Sequence, residues 1–572
     1  MTDSEISTKY QTWLNPPFDA QTRDQVKKLR RNPIQLKEAF AKNLEFGTGG
    51  IRGIMGVGTN RINRYTLGRC TQGLCNHLKT IHQNESILSV VAYDCRNHSA
   101  QLAKEVANVF AANGVKCFLF SELRTTPELS FAVRYLKAHC GIVITASHNP
   151  PQYNGYKVYG PDGGQIVPPI DQYIIDAIDQ VSFSEIQFEA KQQLIELIDE
   201  KIDKAYFNTV LNVAQINPSK NKSLKIVFTS LHGTGMTAIP PVLEKAGFGH
   251  LHIVKKQAPP NGDFPTVESP NPEESKAFSM AFDLAKQQDA EIVIGTDPDA
   301  DRLGVGVKTI SGSYQLLSGN QAMVLMTEFL LNHKKRKGEL NQNSFIATTI
   351  VSTPLMEKMA HHYGIECKIC LTGFKWIGQM IEDFQDQEFI CGGEESFGYL
   401  VGDQVRDKDA VSATLLMCEI AQLLKDKGSH LLEYLSEIYH KYGLFHEDLV
   451  SLTKEGLSGF EEIQQQLKTL RQSPPKTLAN QKVVTINDFQ SSQSIDVESQ
   501  QIQSIELPPS NVLQFITQDH SKVTIRPSGT EPKIKFYFSL QRFYQSQVSL
   551  LDQLNQLSEE IGLLKRDFNL SP

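Results

Sequence analysis

Nowhere in the 572 residues do about 18 consecutive apolar residues occur, so the sequence offers no membrane-spanning helix. It also lacks a basic surplus. Lys and Arg total 57 against 64 Asp and Glu, and a net charge of -7 supplies no field for nucleic acid or an anionic membrane. Any recognition of phosphate is therefore local, and small anionic ligands stay open as partners. A disulfide framework is missing too. The nine cysteines are odd in number and scattered from Cys70 to Cys418, which fits reduced thiols. Cys367 and Cys370 form the one close pair, but in an apparent strand residues three apart face opposite sides, so the pair reads as structural. The first residues, Met1-Thr-Asp-Ser-Glu5, show no charged segment leading into an apolar core, and a cytoplasmic location is expected.

What the chain does have is length and rhythm. Its length suggests roughly four domains, each with its own core. Residues 1–40 read as amphipathic helices broken at Asn15-Pro-Pro, the second capped by Asp19. From residue 86 strands and helices alternate: strand 86–93, helix 101–113, strand 115–120, helix 126–138, then a strand from Gly141. The 101–113 helix shows a core face at Leu102, Val106, Val109 and Phe110. The same rhythm returns over 224–295 and again over 345–391, which predicts parallel, helix-covered sheets. After about residue 445 the pattern changes. A Gln/Ser-rich segment, 488–504, reads as an exposed loop, and strands 512–517 and 522–525 indicate a smaller α+β domain. The expected architecture is three successive α/β domains of similar layout plus a C-terminal α+β domain around a central cleft, with boundaries at 1–205, 206–318, 319–442 and 443–572. The cations His333-Lys-Lys-Arg-Lys337 read as a solvated helix end.

Chemistry-bearing residues sit where the strands end. Gly141–Ile144 runs into Thr145-Ala-Ser-His-Asn-Pro-Pro151, which cannot continue a strand and so presents the Ser147 hydroxyl at a carboxyl end. Lys157 follows closely as a candidate base, and His148 is a local hydrogen-bonding candidate. His232, in Leu231-His-Gly-Thr-Gly235, reads as structural. Phe46-Gly-Thr-Gly-Gly-Ile-Arg-Gly53 reads as a glycine-dense loop in which Arg52 offers a forked donor to an anion. In Gly295-Thr-Asp-Pro-Asp-Ala-Asp-Arg302, carboxylates at alternate positions of an extended loop converge, and a cation relieves their repulsion. Asp297, Asp299 and Asp301 are expected ligands of a hard divalent ion, Mg²⁺ being favoured, one per chain. An EF-hand is excluded, because its sixth and twelfth positions hold Arg302 and Lys308. Glu394 and Ser396, in Gly392-Gly-Glu-Glu-Ser-Phe-Gly398, share a face in extended chain and suit vicinal hydroxyls. Lys375 follows another strand end. Arg526-Pro-Ser-Gly-Thr-Glu531 packs a guanidinium, two hydroxyls and an open backbone into a phosphate cradle of Arg526, Ser528, Gly529 and Thr530.

With those loops in order, the sequence resembles the α-D-phosphohexomutase superfamily. Thr145–Pro150 looks like its phosphoserine loop, Asp297–Arg302 its metal loop, Gly393–Ser396 its sugar loop and Arg526–Glu531 its phosphate loop. Trp13–Asp19, Phe46–Gly53 and Thr372–Trp376 look like the phosphoglucomutase and phosphopentomutase branch, and Glu-Glu-Ser-Phe-Gly favours glucose phosphates by resemblance. The resemblance implies a phosphoserine enzyme and a glucose 1,6-bisphosphate intermediate, with Ser147 joining the three aspartates at the metal. It also implies substrate contacts from Arg52, Arg302, Glu394, Ser396 and the 526–530 cradle, with His148, Lys157 and Lys375 assisting catalysis. Ribose and deoxyribose phosphates remain open as substrates, as does a metal-dependent phosphatase with Asp297 as nucleophile. Oligomeric state is not legible.

Overall fold

The computed structural model describes residues 3–570 other than 48, 220, 310, 455 and 529–532. The chain forms two compact units, one of residues 1–319 with 374–428 and one of residues 320–373 with 429–572.

The first unit contains two mixed sheets. In the first, β1 (Gly50–Ile54), β2 (Leu88–Tyr93), β3 (Lys116–Phe120), β4 (Cys140–Ile144), β5 (Tyr153–Tyr159) and β6 (Ile195–Ile198) lie in the order β1-β5-β4-β2-β3-β6. β4, β2, β3 and β6 run parallel, as the alternation predicts. All five residues of β4 are buried, because helices cover both faces and only a continuous apolar run tolerates that. Leu102, Val106 and Phe110 of the Ser99–Ala112 helix pack into this core, as their spacing implies. The β1 and β5 edge is antiparallel, which the strand-helix rhythm did not predict. The expected glycine loop is thus partly strand. Gly50 has φ +146°, and a Cβ there would lie 2.1 Å from the Tyr156 carbonyl oxygen, so glycine is what lets β1 approach β5.

The second sheet has the order β11-β10-β9-β7-β8, from β7 (Ile226–Thr229), β8 (Leu251–Ile253), β9 (Ile292–Thr296), β10 (Leu303–Lys308) and β11 (Tyr314–Leu316). Here β7, β8 and β9 are parallel and β10 turns back antiparallel from β9, so that the aspartate run becomes the connection between two adjacent strands. The unit is completed by the antiparallel pair Glu388–Gly393 and Tyr399–Val401 and by the buried helix Ala410–Asp426. At the N-terminus Asp19 caps its helix by accepting from the Thr22 amide at 2.8 Å, as expected.

In the second unit, Ser344–Thr349 pairs parallel with Glu366–Cys370. Cys367 is partly buried and Cys370 buried, consistent with opposite faces of that strand. The C-terminal part is an antiparallel sheet with the Leu550–Asp567 helix packed on it. The 488–504 segment is not a simple loop: Gln493–Asp496 pairs with both Gln481–Asp488 and Ile502–Ser504. Its polar composition reflects an exposed sheet edge, along which Ile495, opposite Ile486 and Ile502, and Val497 stand at alternate positions. Among the described residues, no helix is long and apolar enough to cross a membrane.

Candidate active site

Ser147 follows β4 and is buried, with its backbone in the left-handed region at φ +48°. Local chemistry holds it there. Its amide donates to Thr145 Oγ1 at 2.9 Å, and that hydroxyl donates to Asp94 Oδ2 at 2.6 Å. Below the loop, the buried Arg96 donates to the carbonyls of Ser147 (2.5 Å), Pro150 (2.9 Å), Tyr153 (3.0 Å) and Asn149. Its ring-facing side stacks 5.1 Å from the Phe264 centroid, and Asp94 lies 3.4 Å from its Nε. Arg52 reaches the same loop from β1, donating to Asn149 Oδ1 at 2.7 Å, and His148 Nδ1 stands 3.3 Å from Ser147 Oγ.

The aspartate run meets this hydroxyl. Ser147 Oγ donates to Asp297 Oδ2 at 2.7 Å, and Asp297 Oδ1 accepts from the Asp301 and Arg302 amides at 3.1 and 3.0 Å. The carboxylates converge through a tight turn, closed by the Ala300 amide on the Asp297 carbonyl, and not along an extended loop as expected. Ala300 takes φ +53° to make that turn. Oxygens of Asp297, Asp299 and Asp301 lie within 4.8 Å of one another, all three residues being buried. Two unit charges at that distance repel by about 3.5 kcal/mol at an effective dielectric of about 20. Burial, then Asp299 and Asp301, pushes the Asp297 carboxyl well above the ordinary range. Burial acts the same way and most strongly on Asp299, but the Lys157 ammonium, the hydrogen bonds from Asp297 and Lys157 and the charge of Lys408 together outweigh it and hold that carboxyl far below the ordinary range.

Lys157, on β5, donates to Asp299 Oδ2 at 2.8 Å and to Asp301 Oδ2 at 3.3 Å. Burial opposes its charge, yet the two carboxylates raise its pKa, so it is a fixed cation and a poor proton acceptor. A second cation escaped the sequence reading. Lys408 Nζ lies 3.1 Å from Asp301 and 2.8 Å from Asp407, and these carboxylates overcome burial to raise it. The signal was the charged run Arg406-Asp-Lys-Asp409 directly before a buried helix, an expensive place for charge without a purpose. Thr126 was missed too; its hydroxyl donates to Asp299 at 3.0 Å.

The donor set fits a divalent cation. Four buried carboxyl groups (Asp297, Asp299, Asp301, Asp407) face two ammoniums (Lys157, Lys408), an acidic excess that a divalent ion would offset. Asp299 Oδ1 and Asp301 Oδ1 are buried with no hydrogen-bond partner within the protein, which suits them to ligate a cation. All-oxygen donors select a hard ion. A second cluster, His82, Glu85 and His139, does not fit one: His139 Nδ1 accepts the Leu88 amide at 3.0 Å, so its Nε2 carries the proton.

Arg302 leaves the aspartate turn toward Glu273, with which it forms an ion pair. It also joins the expected sugar loop, since Arg302 pairs with Gly398 and the Leu303 amide donates to the Phe397 carbonyl at 2.9 Å. Glu394 is buried and Ser396 half-buried, but they sit at a turn closed by the Glu394 amide on the Gly398 carbonyl at 2.9 Å, not in extended chain. Gly398 is required there, because a Cβ would meet Lys408 Cδ at 2.3 Å. The Leu231–Gly235 motif supports the aspartates from behind: Thr234 donates its amide to the Pro298 carbonyl at 2.8 Å, while a Cβ on Gly233 would lie 2.5 Å from Pro298 Cα. His232 is structural as expected, its Nε2 2.8 Å from Thr266 Oγ1. Lys375, at the start of its helix, is pushed down to about 8 by burial, which Asp171 only partly offsets.

In the second unit, Arg526 and Ser528 stand at the end of strand Lys522–Pro527, half-buried, and the Ser528 amide donates to the Lys533 carbonyl at 2.7 Å. Arg526 Nε is buried without a hydrogen-bond partner. Gly529 and Thr530 lie outside the described residues.

Both the sequence and the fold have known relatives. The chain matches the models for α/β/α domains I, II and III of phosphoglucomutase/phosphomannomutase over residues 43–185, 204–312 and 318–442. It is 38% identical to a phosphoglucomutase of Staphylococcus epidermidis over 88% of this chain and 92% of that one. To a phosphoglucomutase of Staphylococcus haemolyticus it is 36% identical, over 92% and 94%. In fold it is similar to the open form of the Paramecium phosphoprotein parafusin, a phosphoglucomutase, with a TM-score of 0.68 at 18% identity over 92% and 95% of the chains.

Proposed function

Because the chain belongs to the phosphoglucomutase/phosphomannomutase family of the α-D-phosphohexomutase superfamily, and is an enzyme of that class, we propose that it interconverts α-D-glucose 1-phosphate and glucose 6-phosphate through phosphorylated Ser147. The observation that carries this reading is the buried Ser147 hydroxyl, 2.7 Å from Asp297 within the carboxylate triad.

In the proposed reaction, the free hydroxyl of the phosphosugar attacks phosphorus on Ser147. The new sugar O–P bond forms as the Ser147 Oγ–P bond breaks, giving glucose 1,6-bisphosphate. The bisphosphate turns over, and Ser147 Oγ takes back the other phosphoryl. A Mg²⁺ ion held by Asp297, Asp299, Asp301 and the phosphate on Ser147 would supply Lewis-acid polarisation of the phosphoryl group. Lys157 and Lys408 are fixed cations that steady the charge of the triad in both half-reactions. Lys375, whose ammonium is pushed down to about 8 by burial, is the proposed carrier of the hydroxyl proton. Arg52 positions the serine loop through Asn149, where His148 also lies. Arg302, Glu394 and Ser396 are the proposed sugar contacts, and Arg526, Ser528, Gly529 and Thr530 hold the phosphate that is not reacting.

A phosphatase with Asp297 as nucleophile is disfavoured, because Ser147 occupies one Asp297 oxygen and two backbone amides the other. Assay with glucose 1-phosphate discriminates: the proposal requires glucose 6-phosphate, and release of inorganic phosphate alone would overturn it. A higher kcat/KM on ribose 1-phosphate than on glucose 1-phosphate would move the assignment to a pentose substrate.

A further inference from the structure

A cavity of about 620 Å³ opens in the first unit against Arg134, Lys137, Asp162, Glu382, Gln387 and Arg406. It lies at the opposite end of β4 from Ser147: Arg134 and Lys137 belong to the segment entering that strand, whereas Ser147 follows its exit. Five strand residues at about 3.3 Å each put roughly 16 Å between the two ends. The volume is within the range of small-molecule sites, about 300–1,000 Å³.

Its lining carries unmet polar capacity of both kinds. Arg406 is 5% exposed; it donates to the Asp403 carbonyl, but its Nε has no hydrogen-bond partner, and the carboxylates of Asp403 and Glu382 stand off at 3.8 Å. Burial and the like charge of Arg134 push the Arg406 guanidinium below its ordinary range, although the carboxylates of Asp403, Glu382 and Asp162 act in the other direction. Arg134 itself spends a donor on the Asp162 carbonyl at 3.3 Å. On the acceptor side, Gln387 Oε1 is buried with no donor, and burial raises the Asp162 carboxyl. Three clustered cations beside the undonated Gln387 oxygen and the Asp162 and Glu382 carboxylates match a ligand with one anionic end and several hydroxyls.

We infer that this cavity is a second binding site, for a small phosphorylated polyol, with the phosphate on Arg134, Lys137 and Arg406 and the hydroxyls on Asp162, Glu382 and Gln387. Arg406 opens the run Arg406-Asp-Lys-Asp409, whose Lys408 pairs with Asp301, so the cavity and the active site share one segment of backbone.

Glycerol 3-phosphate and inorganic phosphate serve as probes, titrated into the full-length Mg²⁺-loaded enzyme with residue-resolved hydrogen exchange as the readout. Glycerol 3-phosphate should slow exchange over residues 134–139, 160–164 and 382–389, with an apparent affinity at least about tenfold tighter than inorganic phosphate, worth about 1.4 kcal/mol. The double variant Arg134→Gln, Lys137→Glu should lose that protection while keeping its kcat and any protection around residue 147. Protection confined to the serine loop, or undiminished in the double variant, would overturn the site; equal affinity for the two probes would overturn the polyol assignment.

Discussion

Replacing Arg96 with alanine should uncouple the serine loop from its foundation. The guanidinium donates to four carbonyls of residues 147–153, and charge-assisted hydrogen bonds contribute about 1.5–3 kcal/mol each. Its removal also leaves Asp94 buried without its counter-ion, a loss of about 3–5 kcal/mol when one partner of such a pair is deleted. These effects overlap, since a relaxed loop can re-solvate its carbonyls and Asp94 can take a proton. A net destabilisation of about 3–5 kcal/mol is therefore expected, read as a lowered urea midpoint. The catalytic effect is separate. Ser147 holds φ +48° only while the loop is clamped, so kcat should fall about 100-fold, equivalent to about 2.7 kcal/mol, with KM changed little. Arg96→Lys should recover the charge beside Asp94 and much of the stability, but not the four-carbonyl clamp or kcat. An Arg96→Ala enzyme within about 1 kcal/mol of wild-type stability and with unchanged kcat would refute this reasoning.

Chelation with EDTA should abolish turnover, and Asp299→Asn should lower kcat roughly 100-fold or more, measured with saturating Mg²⁺. Gly155→Ala should destabilise by more than about 2 kcal/mol on urea unfolding, because its Cβ would lie 2.5 Å from the Thr145 carbonyl oxygen and 2.7 Å from that of Ile51. The folded-state pKa of Lys375 lies below its unfolded value, so the unfolded chain binds more protons between about pH 8 and the ordinary lysine range. Wild-type stability should therefore rise with pH across that window relative to Lys375→Met, and parallel unfolding curves for the two proteins would contradict it.

The strand ends were legible because a strand must stop where turn residues begin. That alone placed Ser147, Asp297 and Glu394 at β-strand exits. The antiparallel edges were not legible: β5 and β10 return beside the strands that precede them, and short Gly-containing strands lack the helix that would announce a crossover. For the same reason the turns at Ala300 and Phe397, both with positive φ, were misjudged as extended chain. Arg96 was missed because its partners in the serine loop lie about 50 residues away, and Lys408 because its charged run did not reveal Asp301, more than 100 residues distant, as the partner.

The central claim is that Ser147 carries the phosphoryl group. Enzyme labelled with radioactive phosphate should be mixed with unlabelled glucose 1-phosphate in a single turnover, and the label followed from the Ser147 peptide into products. The account predicts loss of label from Ser147 matched by its appearance in glucose 1,6-bisphosphate and glucose 6-phosphate, and no labelling at all in Ser147→Ala. Label found on an aspartate of the triad, or released wholly as inorganic phosphate, would contradict it.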